Sequence, residues 1–103
     1  MRMHPAKRVE IIIEAVMERR LVAALEGAGV TGYTVLPVQG GGGRSGPWSR
    51  EGQVSRAGGM IAVVCLVRAE RLDTLLDAAF EVVDRHIGVV CVTDAQVVRA
   101  DRF

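Results

Sequence analysis

The chain has 103 residues, half of them apolar, which fits one domain with a modest core and excludes an intrinsically disordered protein. Thirteen basic against twelve acidic side chains give a formal charge of +1, which argues against a nucleic-acid or membrane-surface binder. Lys7 is the only lysine and the other twelve cations are arginines, whose planar fork suits bidentate contact with phosphate or carboxylate, though a GC-rich genome accounts for the same bias. Cys65 and Cys91 sit in apolar runs and read as small core residues in a reducing compartment, so the cytoplasm is expected. The apolar run behind Arg2, Lys7 and Arg8 is broken by Glu10 and Glu14 and has no small-residue cleavage site, so no secretion signal is read. The longest apolar stretch, Met60 to Val67, is far short of the roughly 20 residues a membrane helix needs.

In chain order, the short β-branched run Val9 to Ile13 predicts a first strand. From Met17 the spacing changes: Met17, Leu21, Leu25 and Ala28 fall on one helical face, and Gly27 and Gly29 stop that helix. Tyr33 to Val38 predicts a second strand, placed at a sheet edge or bulge by Pro37, which has no N–H to donate. Met60 to Val67 is so uniformly apolar that both faces of this third strand should be covered. Arg71 to His86 predicts a second helix, with Leu72, Leu75, Leu76, Ala79 and Val83 inward and Arg71, Asp73, Asp77, Asp84 and Arg85 outward. Val89 to Thr93 and Gln96 to Arg99 predict a broken final strand or hairpin, with Asp94 as a turn former. The order strand, helix, strand, strand, helix, strand predicts an α+β, ferredoxin-like βαββαβ sandwich as one domain over 1–103, its long loop at about 40–59 joining strands two and three.

That loop holds eight of the twelve glycines, beginning with Gly40-Gly41-Gly42-Gly43-Arg44-Ser45-Gly46-Pro47-Trp48. A long structureless connection in a compact domain usually serves binding, so function is expected there. Gly41-x-Gly43-x-x-Gly46 matches the dinucleotide fingerprint in form, but Pro47-Trp48-Ser49-Arg50 opens no helix to meet a pyrophosphate. A Walker loop fails for want of a lysine before Ser45. An anion-binding nest of backbone N–H groups survives, supported by Arg44, Arg50 and Arg56 against Glu51 alone. A solvated linker is the rival reading, and Trp48 counts against it. His4 and His86 have no ligand-like spacing to either cysteine, so no metal site is expected. No Ser-His-Asp or Cys-His arrangement suggests an enzyme. The absence of asparagine sets aside an acylphosphatase, and central strands without aromatics set aside RNA binding. A binding protein is therefore expected.

Gly29-Val30-Thr31-Gly32-Tyr33-Thr34-Val35-Leu36-Pro37-Val38-Gln39-Gly40 resembles the PII signalling proteins, in which a similar Gly-x-x-Gly-x-Thr-Val run leads into a long regulatory loop. The resemblance extends over residues 7 to 102, through Lys7-Arg8-Val9-Glu10-Ile11-Ile12, the second helix from Glu70, and Val97-Val98-Arg99. It implies a non-catalytic homotrimer with adenine nucleotides in the clefts between subunits. The family's Thr-Gly-x-x-Gly-Asp-Gly-Lys phosphate loop is missing, since the chain runs straight through His86-Ile87-Gly88-Val89, and no loop tyrosine lies between Gly40 and Gly59. The shortened passage and the glycine run ending in Arg44 look more like the inorganic-carbon branch, the carboxysome-associated type in preference to the related bicarbonate-transporter-associated type.

That branch implies ADP or AMP as ligand, a response to bicarbonate, and a protein target such as a carboxysome component or a bicarbonate transporter. By resemblance, Ile12 and Leu66 match apolar residues beside the adenine and Thr34 the threonine at the base of the loop. Gly88 and Val89 match backbone facing the nucleotide, Gly40, Gly41, Gly42 and Gly43 the loop stem near the phosphates, Arg44 an arginine in phosphate reach, and Arg99 a basic residue at the cleft. Ordinary core is the other reading of Ile12 and Leu66. Two further functional readings stay open: a structural or metal-tolerance trimer of similar fold without nucleotide sensing, and an enzyme using the loop as a lid over an anionic substrate.

Overall fold

A computed structural model describes residues 1–44, 46–49 and 59–99. Ser45, the stretch 50–58, where the sequence places Arg50, Glu51 and Arg56, and the residues 100–103 lie outside the described residues. Strand β1 (His4–Glu14) passes through the 3-10 turn Ala15–Met17 into helix α1 (Glu18–Gly27), followed by strand β2 (Thr34–Val38). Two four-residue strands come next, β3 (Gly40–Gly43) and β4 (Gly46–Ser49). Strand β5 (Met60–Val67), the 3-10 turn Ala69–Arg71, helix α2 (Leu72–Val83) and strand β6 (Gly88–Val97) complete the order.

The main sheet has the order β2-β5-β1-β6, all neighbours antiparallel, which is the ferredoxin-like α+β arrangement expected from the element order. Period-two alternation decides its two faces. Val9, Ile11 and Ile13 of β1 are fully buried, and their partners Cys65, Val63 and Ile61 share their face. Against that face pack Leu21 and Leu25 of α1 with Leu75, Ala79, Val82 and Val83 of α2, forming the core. Both helices therefore cover one side of the sheet.

Helix α1 stops where its backbone bonds are redirected. The Gly29 N–H donates to the Glu26 carbonyl and the Val30 N–H to the Leu25 carbonyl, each at 3.0 Å, while Val30 and Leu25 both join the core cluster. This is a Schellman closure, and the φ of +92° at Gly29 is the left-handed conformation that glycine adopts without a Cβ clash.

Several expectations are corrected. The first strand runs from His4 instead of Val9, because its polar N-terminal half pairs with β6 through backbone from His4↔Val97 onward. The last strand is continuous over Gly88–Val97: Asp94 does not turn the chain but stands opposite Lys7, whose ammonium it meets at 2.5 Å. The second helix ends at Val83, short of His86. Cys91 is exposed and is not a core residue, whereas Cys65 is buried and burial pushes its thiol pKa up. The third strand is covered on its helix side, but in the single chain Leu66 on the other side stays 38% exposed. Pro37 does sit in an edge strand, as its missing N–H requires.

Candidate functional site

The sheet face opposite the helices carries Ile12, Thr34, Leu66 and Val89 together. Ile12 lies across from Ala62 and Val89, Leu66 across from Arg8, and Thr34 across from Val64, so all four belong to the same pleat parity. Around them this face is largely aliphatic, with Leu36, Leu66 and Val89 exposed and Val64 half-buried. Arg8 and Glu10 pair with each other on it, guanidinium to carboxylate at 3.2 Å.

The candidate residues divide into two groups. Thr34, Leu66 and Arg99 line one open cleft of 510 Å³, with Gly32, Tyr33, Val64 and Val98 among its further walls. Its lining is rich in aliphatic residues and includes Tyr33, Thr34 and the guanidinium-bearing Arg99, a combination suited to a flat apolar ring carrying an anionic tail. Ile12, Gly88 and Val89 lie toward the other end of the sheet, where β6 begins opposite Ile13. Leu66 stands opposite Arg8, four residues before Ile12 in β1, so the two groups are separated by about 13 Å at 3.3 Å per strand residue. One chain does not bring them into one pocket.

Gly40 leaves β2 at the end where β6 starts, because Val38 pairs with Met60 and Met60 with Glu14. The glycine run is more ordered than the structureless loop expected from it. Gly40↔Ser49, Gly41↔Trp48, Gly42↔Pro47 and Gly43↔Gly46 form an antiparallel ribbon apart from the main sheet. Arg44 is exposed in the turn of that ribbon, next to Gly43. Four glycines give β3 no side chains, so the approach to its backbone is open on both faces.

The sequence reading missed a polar junction at the entrance to β6. The Ile87 N–H donates to Glu14 Oε1 at 3.2 Å, and His86 Nδ1 lies 3.3 Å from the same oxygen. One residue on, the Ala15 N–H donates to the carbonyl of Gly59 at 2.8 Å, where the chain returns from the long loop. Positions 14 and 87 are 73 apart in sequence, and no local motif links them.

A second cleft of 630 Å³ lies between the start of β1, the end of β6 and the 3-10 turn before α2, lined in part by His4, Lys7, Glu70 and Asp94. Lys7 holds the exposed carboxyl of Asp94 below the usual carboxylate range, by hydrogen bond and by charge. Among the described residues, no group of three or more His, Cys, Asp or Glu side chains is placed to hold a metal ion, and no helix is long and apolar enough to cross a membrane.

Comparison with solved structures places this geometry. CPII from Thiomonas intermedia K12, a nitrogen regulatory PII-like protein solved bound to ADP, AMP and bicarbonate, is 30% identical with a TM-score of 0.91, over 99% of this chain and 96% of that chain. CPII solved bound to ADP and bicarbonate gives 32% identity and a TM-score of 0.85 over 99% and 97% of the two chains. A PII-like signalling protein from Thermus thermophilus is 29% identical with a TM-score of 0.80, over 100% and 99%. No curated protein matches the chain by sequence. The family model for nitrogen regulatory protein P-II matches residues 6–102, nearly the whole chain, and the chain belongs to the P-II family.

Proposed function

We propose that this chain is a non-catalytic sensor that binds ADP or AMP, in concert with bicarbonate, in the clefts between subunits of a homotrimer. The observation that carries this reading is the split of the candidate residues into two groups about 13 Å apart on one sheet face. A cyclic, head-to-tail assembly sets one end of a subunit against the other end of its neighbour, which joins such halves into one site. It also covers the exposed aliphatic side chains Leu36, Leu66 and Val89, surface that a small single core leaves in water. Ile12 and Leu66 then flank the adenine, Thr34 stands at the loop base, Gly88 and Val89 offer backbone, Arg99 is the basic residue at the cleft, and Arg44 reaches the phosphates. The glycine ribbon with Arg44 responds to ligand.

CPII, solved with ADP, AMP and bicarbonate, supports the ligand class. The signal belongs to inorganic-carbon metabolism, and the target is a carboxysome component or a bicarbonate transporter. Two unpaired cysteines favour a reducing compartment, the cytoplasm.

Complementation tests the shared cleft. Arg99→Ala with Thr34→Ala damages one half-site, and Val89→Asp, at an exposed position on the open face, damages the other. Each variant alone is expected to lose ADP binding, while trimers reassembled from a mixture recover binding in the clefts that join two intact halves. Full binding by either variant, or no recovery in verified mixed trimers, contradicts a cleft built from two subunits.

A further inference from the structure

We infer that Glu14 is a positioning residue for the nucleotide, fixing the backbone that enters β6. This rests on the proposal that Gly88 and Val89 face the ligand. A backbone N–H or C=O contributes to binding only if its direction is fixed beforehand, since each degree of freedom frozen on association costs affinity. The passage from α2 to β6 is short. The Asp84 N–H closes on the Phe80 carbonyl and the His86 N–H on the Val83 carbonyl, both at 2.9 Å, and Gly88 is already paired with Ile13. Ile87 lies between these fixed points, and its N–H is aimed by the Glu14 carboxylate.

Glu14 suits this task because it is itself held on three sides. It is the last residue of β1, paired to Met60 across the ladder. The N–H of the next residue, Ala15, is bonded to Gly59. His86 Nδ1 lies against the oxygen that accepts from Ile87, so one carboxylate oxygen fixes two consecutive residues immediately before Gly88. Both side chains are about 30% exposed, at 29% for Glu14 and 30% for His86, so the contact is partly shielded from water but remains open to exchange. The same junction touches Gly59, the residue at which the chain returns from the loop to β5. Order at the ligand backbone and order at the returning end of the loop thus share one anchor.

The test is ADP titration by calorimetry on the full chain, with backbone amide exchange at Ile87 followed by NMR. Glu14→Ala is expected to weaken ADP about tenfold, the loss of one charge-assisted bond, and Glu14→Gln, which keeps an acceptor for the Ile87 N–H, only about two- to threefold. Exchange at Ile87 should accelerate in the alanine variant and stay slow in the glutamine variant. Should Glu14→Ala not fold, His86→Ala removes only the imidazole contact to Glu14 Oε1 and is expected to weaken ADP about threefold. ADP binding within experimental error of wild type in a folded Glu14→Ala or His86→Ala chain overturns the inference and leaves the nucleotide reading standing. A wild-type chain that binds no ADP overturns both.

Discussion

Gly88 approaches Ile12 so closely that a Cβ built on the glycine would lie 2.5 Å from the Ile12 carbonyl oxygen. The obstacle is backbone at the end of the β1–β6 ladder where β6 begins, and backbone has no rotamer to escape into. The glycine therefore sets how near β6 comes to β1, and with it where the Gly88 and Val89 backbone stands.

Gly88→Ala is expected to force the two strands apart and to destabilise the fold by about 1–3 kcal/mol, the usual range for overpacking a closely fitted site. Chemical denaturation measures this directly. A variant as stable as wild type would show that the strand shifts freely and that the contact constrains nothing.

Leu66 is expected to be buried between subunits, so a carboxylate there should split the assembly. Leu66→Asp should move from trimer to monomer in sedimentation, because an unpaired charge in an apolar contact costs several kcal/mol. Cys91 reports the same event, being opposite Glu10 on the open face. Its alkylation should speed up several-fold on dissociation, while buried Cys65 stays unreactive until the chain unfolds. Equal Cys91 rates in wild type and variant would place the subunit contact elsewhere.

Arg44 should separate phosphate from base. If Arg44 reaches the phosphates, Arg44→Ala weakens ADP by about 1.5–3 kcal/mol and leaves adenosine nearly unchanged. Competition binding with both ligands distinguishes this from a general loss. Equal losses for the two would assign the arginine to folding of the ribbon.

The Lys7–Asp94 pair gives a small, acid-sensitive contribution. The folded pKa of Asp94 is depressed, so its stabilisation is present above the ordinary carboxylate value and is lost as pH falls through the depressed one. Asp94 is fully exposed, and salt screens it. The melting-temperature difference between wild type and Asp94→Asn should therefore be small at neutral pH and vanish in strong acid or high salt. A difference that persists in acid would trace to packing and not to charge.

What could be read in the sequence follows from where side chains carry the signal. Met17, Leu21 and Leu25 mark α1 by period, and the apolar run of β5 marks a central strand, because burial selects those residues. The start of β1 is invisible there, since His4 to Arg8 are held by backbone pairing that polar side chains do not reveal. Asp94 resembles a turn former, yet the cross-strand cation Lys7 keeps it within β6. The glycine ribbon has no side-chain pattern in β3 to read. Of the site, Thr34, Leu66 and Arg99 do share a cleft, but Glu14 serves residues far away in sequence and becomes visible only once β1 and β6 are adjacent.

The most direct test of the central claim is calorimetry of the purified chain with ADP and with AMP, each with and without bicarbonate. The account predicts saturable binding of at least one of the two nucleotides, at the clefts between subunits of the trimer, with affinity changed by bicarbonate. No heat of binding for either nucleotide under any of these conditions, from a chain shown to be folded and trimeric, would contradict it.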